Sequence, residues 1–370
     1  MDVVVTGIGL MSCLGSLRTT QSNILQGLSG IKSHQFPGLP AYPLGLINAR
    51  PSEIDDLTQK ILVDALQDAE LTTPLTECGV VIGSSRGCQA KWENLVRQND
   101  VSIDNWLETL PDRPAIITAK YLETTAPVLA PMAACATGIW ALARGYELIK
   151  SDRCKRVIAG AVEAPISPLT LAAFERMGAL AKTGCYPFDR DREGLVLGEG
   201  GAMFVLETAE LAARRQAKVY GKICGFGLTC DAYHISTPQT LGSSAAKAIK
   251  QSLERSGLEP EDIDYIHAHG TSTTLNDRHE AQLIKHIFPQ RIAVSSTKGA
   301  TGHTLGASGA IGTVLTLMAM NDNCIPPCVG LKNPEFELDI PMQPRKAKID
   351  RAMCFSFGFG GQNAVVTLSK

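Results

Sequence analysis

Short apolar runs alternate along this chain with segments whose apolar side chains return every three or four positions. The runs at residues 79–83, 128–134, 156–162 and 202–206 predict buried strands, and residues 55–69 and 136–150 predict helices. Beyond residue 218 the alternation continues, with strands at 219–226, 263–268, 291–296 and 353–357 and helices at 243–255, 277–287 and 306–320. Strands and helices taking turns in this way predict an α/β layered fold. Residues 89–127 break the rhythm. They carry Trp92 and Trp106 among turn-forming prolines and show no period, which predicts an insertion at an interface.

The pattern also repeats. An opening strand over residues 3–6 leads into a glycine turn, Gly7-Ile-Gly9-Leu10-Met-Ser12, and the motif is echoed by Gly225-Phe-Gly227-Leu228-Thr-Cys230. Likewise Gly198-Glu-Gly-Gly201 precedes one strand, and Gly358-Phe-Gly-Gly361 precedes another at 364–368. Two motifs in the same order predict a duplication, with halves at 1–207 and 218–370 and a polar helical joint at 208–218. Gly7 and Gly9 start a dinucleotide fingerprint, but Ser12 fills its third glycine position and no suitable acidic residue follows. Close packing of a strand on a helix explains them better.

Composition narrows the class. With 370 residues, 44% hydrophobic, the chain has ample material for a packed core. Its net charge of −2, with Lys and Arg scattered, gives no reason to expect nucleic acid or a membrane surface as partner. No apolar stretch approaches the length of a membrane span, and the amino terminus enters a strand pattern directly, so a cytoplasmic location is expected. Eleven cysteines, an odd number without a C-x-x-C pair, read as reduced thiols and not as a disulfide framework or zinc site.

One cysteine stands apart. Cys135 lies in Ala133-Ala134-Cys135-Ala136-Thr137-Gly138, between the predicted strand 128–134 and helix 136–150. Free N–H groups and the helix dipole at such a turn favour a thiolate, and the small neighbours let a substrate approach. Further on, Tyr265-Ile-His267-Ala-His269-Gly-Thr271-Ser-Thr273 ends a strand with two histidines, of which only one is expected to serve a given site. The next strand ends in Ser295-Ser-Thr-Lys298-Gly-Ala-Thr301-Gly-His303, and a last glycine turn carries Phe359. A thiol, imidazoles and a lysine at neighbouring strand ends suit acyl transfer with charge stabilisation.

Taken together, the Cys135 segment, Phe188-Asp-Arg-Asp-Arg-Glu-Gly194-Leu-Val-Leu-Gly198, Asp231-Ala-Tyr-His234, His267-Ala-His269-Gly-Thr-Ser-Thr273, Ser296-Thr-Lys298-x-x-Thr-Gly-His303 and Phe357-Gly-Phe359-Gly-Gly361-x-Asn363 resemble the elongating Cys-His-His class of β-ketoacyl-acyl carrier protein synthases. The resemblance spans the whole chain and implies a thiolase-like five-layered αβαβα fold of two duplicated halves. It implies that Cys135 accepts an acyl chain from a carrier protein, with the N–H groups of Cys135 and Phe359 as oxyanion hole. His269 and His303 would drive decarboxylation of a malonyl carrier, Lys298 would organise them, and Phe359 would gate the site. Thr271 and Thr273 would contact pantetheine, Phe174 and Met177 would line the acyl tunnel, and Glu280 would be a supporting acid. A lysine here is expected to keep the imidazoles neutral and the thiol ionised. No metal or redox cofactor is implied, and a homodimer or a ketosynthase heterodimer is expected.

Three departures from the family pattern stand out. Gly312 occupies the place of a usual glutamate, leaving Lys298 in need of another anchor; His267 stands where asparagine is common; and the chain is short around 40–55 and 89–127. They keep open a second reading, a non-catalytic chain-length-factor-like subunit. Such partners usually lack the nucleophilic cysteine, so retention of Cys135, His269, Lys298 and His303 favours the enzyme. A degradative thiolase would need a second cysteine, for which Cys354 is the candidate by position, but Lys298 argues against it.

Overall fold

The computed structural model describes residues 1–36, 38–98, 106–239, 243–288 and 291–370. The first half contributes β1 (Val3–Ser12), β2 (Gly79–Gly83), β3 (Val128–Leu129), β4 (Arg156–Glu163) and β5 (Gly200–Thr208). The second contributes β6 (Gly221–Cys230), β7 (Tyr265–His267), β8 (Ala293–Ser295), β9 (Arg351–Gly358) and β10 (Gln362–Ser369). They hydrogen-bond in the order β8-β7-β9-β10-β6-β1-β5-β4-β2-β3.

Read outward from the β1/β6 junction, both halves follow one plan. β1 pairs antiparallel with β5, β5 antiparallel with β4, and β4 and β2 continue in parallel to β3. β6, β10, β9, β7 and β8 repeat the same senses in the same order. The two plans join where β1 and β6 pair antiparallel over Val3–Val5.

Helices complete the layers. α1 (Ile54–Asp68) covers β1 and β5, while α2 (Thr137–Lys150) packs on β2 and β4. α3 (Pro168–Arg176) lies beside the site, α4 (Ser243–Ser256) covers β6 and β10, and α5 (Thr274–Ile287) lies next to α4. α6 (Ser308–Asp322) packs on α2 and on β9 and forms the central layer with it. Residues Ser308 to Met320 of α6 are buried all round, as a helix with neighbours on every side must be. Gly138 and Gly309 allow the crossing, since a Cβ on Gly309 would come 2.9 Å from Ile139 and one on Gly138 would overlap the Ala310 backbone.

Four expectations change. The strand predicted at 128–134 stops at Leu129, because Pro131 offers no N–H to a ladder and Ala134 takes a left-handed φ of 47°. Gly7 and Gly9 lie inside β1, not in a turn, and Gly225 and Gly227 lie inside β6. Their role is the close packing expected: a Cβ on Gly7 would stand 2.7 Å from the Ala65 carbonyl of α1, and one on Gly225 2.6 Å from the Ser252 carbonyl of α4. The aperiodic stretch contains two helices, Gln89–Gln98 and Arg113–Leu122, while residues 99–105 within it lie outside the described residues. Finally, the helix predicted from 306 begins at Ser308, after a 3-10 turn at Leu305–Ala307.

Candidate active site

Cys135 sits on the turn into α2, where Ala134 holds its left-handed conformation by a local lock. The Thr137 hydroxyl donates to the Ala134 carbonyl at 2.6 Å and accepts from the Ala133 N–H at 2.9 Å. From the other half, the Ser356 hydroxyl donates to the Cys135 carbonyl at 2.8 Å. Gly358 brings the β9–β10 turn down onto Cys135, for a Cβ there would lie 2.9 Å from the Cys135 nitrogen. The Phe359 backbone consequently comes close enough to the Cys135 sulfur to lower its pKa. Both halves therefore build the surroundings of one sulfur.

His269 follows β7 and His303 follows the short helix Lys298–Thr301. Their rings lie 5.3 Å apart, edge to face, and the ligating atoms of Cys135, His269 and His303 all fall within 4.8 Å of one another. The His303 Nδ1 lies 2.7 Å from the Ser308 hydroxyl at the start of α6. Its backbone is clamped by the 188–198 segment: the His303 N–H donates to the Val196 carbonyl at 2.6 Å and the Gly198 N–H to the His303 carbonyl at 3.0 Å. The Glu280 carboxylate accepts the N–H of His269 at 2.6 Å and of Gly270 at 2.7 Å, fixing the loop that carries the first histidine.

Lys298 is anchored without a glutamate at 312. Its ammonium donates to the His269 carbonyl and lies 3.4 Å from His269 Nδ1, and Glu280 supplies the largest favourable charge near it. A donor at Nδ1 makes that nitrogen the acceptor and leaves the His269 proton on Nε2. Burial, reinforced by Lys298, holds both His269 and His303 well below the usual imidazole pKa, so both rings are neutral. Although Cys135 and two imidazoles make a donor set of metal-binding type, the buried ammonium beside His269 opposes a bound cation.

The thiol differs from expectation. Burial pushes Cys135 up to about 11, and the lowering by Lys298, the Phe359 N–H and Arg86 does not offset it. Cys135 is thus a thiol at rest, because desolvation outweighs the helix terminus and the lysine. The charge of Glu163, buried at the end of β4 and accepting from Ser84, Ser85 and Arg86, raises it further.

A cavity of ≈ 410 Å³ brings the remaining predicted residues to this centre. Cys135, His269, His303, Phe359, Thr271 and Thr273 line it, with the two threonine hydroxyls 2.9 Å apart. Phe174 also lines it, stacked on Phe359 with ring centroids 6.0 Å apart, whereas Met177 stands half exposed at its rim. Lys298 and Glu280 lie behind the histidines and support them without lining the cavity. Sequence reasoning missed Ser308, Glu163 and Arg86. Of these, only Ser308 carried a signal, standing five residues after His303 at the start of the small-residue helix.

His267 and Gly312 prove to be one feature. The His267 ring turns away from the cavity, with Nε2 3.0 Å from the Thr297 hydroxyl, and fills the space above Gly312, where a Cβ would meet the imidazole at 2.9 Å. Cys354 lies in the same buried cluster, with its sulfur 3.9 Å from His267 Nδ1, and takes no part in lining the cavity.

The Beta-ketoacyl synthase N-terminal domain family matches residues 49–212, and the Beta-ketoacyl synthase C-terminal domain family matches residues 220–332. A 3-oxoacyl-[acyl-carrier-protein] synthase 2 of Staphylococcus aureus strain COL is 32% identical over 100% of this chain and 98% of its own length. The Synechocystis protein of the same name is 42% identical over 69% of this chain and 64% of its own. Among solved structures, a type II polyketide ketosynthase in complex with its acyl-carrier protein, AntDE:AntF, superposes with a TM-score of 0.94 at 27% identity, covering 100% of this chain and 99% of that one. A beta-ketoacyl synthase from Burkholderia phymatum gives a TM-score of 0.90 at 26% identity, with the same coverage. Both domain matches fall on the halves that build the Cys135, His269 and His303 site, and the chain belongs to the β-ketoacyl synthase family.

Proposed function

We propose that this chain is a condensing acyltransferase that elongates a carrier-bound acyl chain by decarboxylative Claisen condensation with a malonyl carrier. The observation that carries the reading is the convergence of one cysteine and two neutral histidines within 4.8 Å on the wall of a cavity of ≈ 410 Å³. The two halves, 1–207 and 218–370, act as units that supply the nucleophile and the histidines respectively.

Cys135 first exchanges with the acyl thioester. Its proton passes to a neighbouring imidazole or to the departing pantetheine sulfur, and one thioester replaces another. The carbonyl oxygen, negative in the tetrahedral intermediate, is held by the N–H groups of Cys135 and Phe359. A malonyl thioester then enters, with Thr271 and Thr273 hydrogen-bonding its pantetheine. As CO₂ leaves, the electron pair of the broken C–C bond becomes an enolate, whose oxygen accepts hydrogen bonds from His269 and His303. Neutral imidazoles suit this task, since a lost donor in such a site costs about 3–4 kcal/mol. The enolate carbon attacks the Cys135 thioester, and expulsion of the sulfur yields a ketoacyl chain two carbons longer.

The partner is an acyl carrier protein, and the working state is a dimer located in the cytoplasm. Among the described residues no helix is long and apolar enough to cross a membrane. Nothing in the site favours the non-catalytic subunit, because the nucleophile, both histidines and the lysine are present together.

Intact-mass spectrometry with acyl-carrier thioesters tests this reading. Wild-type protein gains the acyl mass and discharges it on addition of malonyl carrier. Cys135→Ala is expected to gain none, while Cys185→Ala and Cys224→Ala load normally. Cys135→Gln is expected to retain malonyl decarboxylation. Acylation that survives Cys135→Ala would sink the assignment.

A further inference from the structure

Beside the sulfur stands an apolar wall backed by a charge. Cys135 and Phe174 belong to one apolar cluster with Ile166, Leu171, Leu195 and Leu197, so the first carbons of a bound chain meet hydrocarbon. Arg86 stands behind Phe174, outside the residues that line the cavity: its guanidinium lies over the Phe174 ring, 5.5 Å from the centroid, and close enough to Cys135 for its charge to lower the thiol pKa. Among the described residues no carboxylate forms an ion pair with it, and its one side-chain hydrogen bond is a long one, 3.4 Å to the Gln89 carbonyl.

The polar groups next to it are otherwise engaged. Glu93 accepts from Gln89 at 3.0 Å, from Ser167 at 2.6 Å and from the Leu169 N–H at 3.0 Å, where it caps α3. Gln89 also donates to Thr170 at 3.0 Å. A guanidinium has five N–H donors in a planar fork, and among the described residues only one of them has a protein partner. An alkyl terminus pushed against it would displace water from those donors and give nothing back, whereas a carboxylate would accept two of them in parallel.

We propose that Arg86 reads the far end of the acyl group carried by Cys135 and favours a chain that ends in a carboxylate over an alkyl chain of the same length. The proposal rests on the reading of Cys135 as the acyl acceptor and adds to it the class of substrate: short acyl chains with an oxyanion at the distal end. Phe174, between the guanidinium and the gate residue Phe359, is the apolar spacer that sets how many carbons separate thioester from carboxylate.

The test compares hexanoyl and 5-carboxypentanoyl carrier thioesters, of equal carbon count, by the rate of mass gain on Cys135. Wild-type protein is expected to load the carboxy-terminated chain about tenfold or more faster, the size of discrimination that a site with unpaired polar groups gives. Arg86→Met, which keeps the stem and removes the charge, is expected to reverse the order by speeding hexanoyl and slowing the carboxylate. Arg86→Lys is expected to keep the preference in weaker form, since a point charge lacks the fork. Faster loading of hexanoyl by wild-type protein, or an unchanged ratio in a folded Arg86→Met, overturns the inference and leaves the condensing function standing. Loading of neither chain, nor of any other acyl group, overturns the function and this inference with it.

Discussion

At the scale of single residues the site is governed by burial. A cysteine at a helix start reads from the sequence as a candidate thiolate, and the position was legible, but its protonation state was not. Desolvation depends on what the second half of the chain lays over the sulfur, namely Gly358 and Phe359, and no local pattern encodes that. Alkylation of Cys135 by iodoacetamide is therefore expected to rise about tenfold per pH unit from roughly pH 7 to roughly pH 10, because only the thiolate reacts. A plateau near neutrality would show an acidic thiol instead. The histidines run the opposite way. With folded pKa values far below 6.5, they take up protons only when the chain unfolds, so their contribution to stability is full above pH 6.5 and is lost as pH falls below it. Glu280, raised to about 7 by burial, contributes below its unfolded value of 4.5 and loses that contribution as pH rises through 7. Imidazole NMR signals of His269 and His303 are expected to stay in their neutral positions from about pH 8 to about pH 5.

At the scale of elements, the departures from the family pattern resolve into a coupled pair. Two positions apart in a continuous strand the histidines would share a face. Because β7 ends at His267 the chain turns there, so His269 reaches the cavity while His267 points at the buried face of α6, an outcome that strand periodicity alone does not predict. What the sequence did not announce is that the two unusual residues, 45 positions apart, meet: the imidazole occupies the volume that any side chain at 312 would need. Through the Thr297 hydroxyl, His267 also braces the turn that begins the Lys298 helix. Gly312→Ala is expected to destabilise the protein by about 1–3 kcal/mol, the range for overpacking a core, despite the better helix propensity of alanine. In a His267→Asn background the same change is expected to cost far less, with a coupling energy of about 1 kcal/mol or more in a denaturation double-mutant cycle. Additive effects would mean that the two residues adapt independently. The misplaced end of the 128–134 run has a local cause: where Pro131 and a left-handed Ala134 interrupt it, the apolar pattern continues but the hydrogen-bond ladder does not.

At the scale of the whole molecule, the duplication was legible because the repeated glycines do a repeated job, letting α1 sit on β1 and α4 on β6 at backbone contact. The meeting of the halves was less so, since α6 is apolar on every side and its sequence does not say which neighbour each face receives. The same sheet leaves one end open. β3 is only two residues long, pairs among the described residues with β2 alone, and continues into Met132, which is 69% exposed beside a 40% exposed Leu129. An edge strand with apolar side chains, unpaired on its outer side among the described residues and with Cys135 six residues on, is the surface that an oligomer would cover. The proposed dimer is therefore expected to form along this edge, bringing the partner close to the turn that carries Cys135. Replacing both Leu129 and Met132 by lysine is expected to shift the protein to monomer in sedimentation velocity and to slow Cys135 acylation with it, because the turn loses its support. A dimer that survives both lysines would place the contact on another face, and acylation that persists in the monomer would show that the Cys135 turn is held by Thr137 and Ser356 alone.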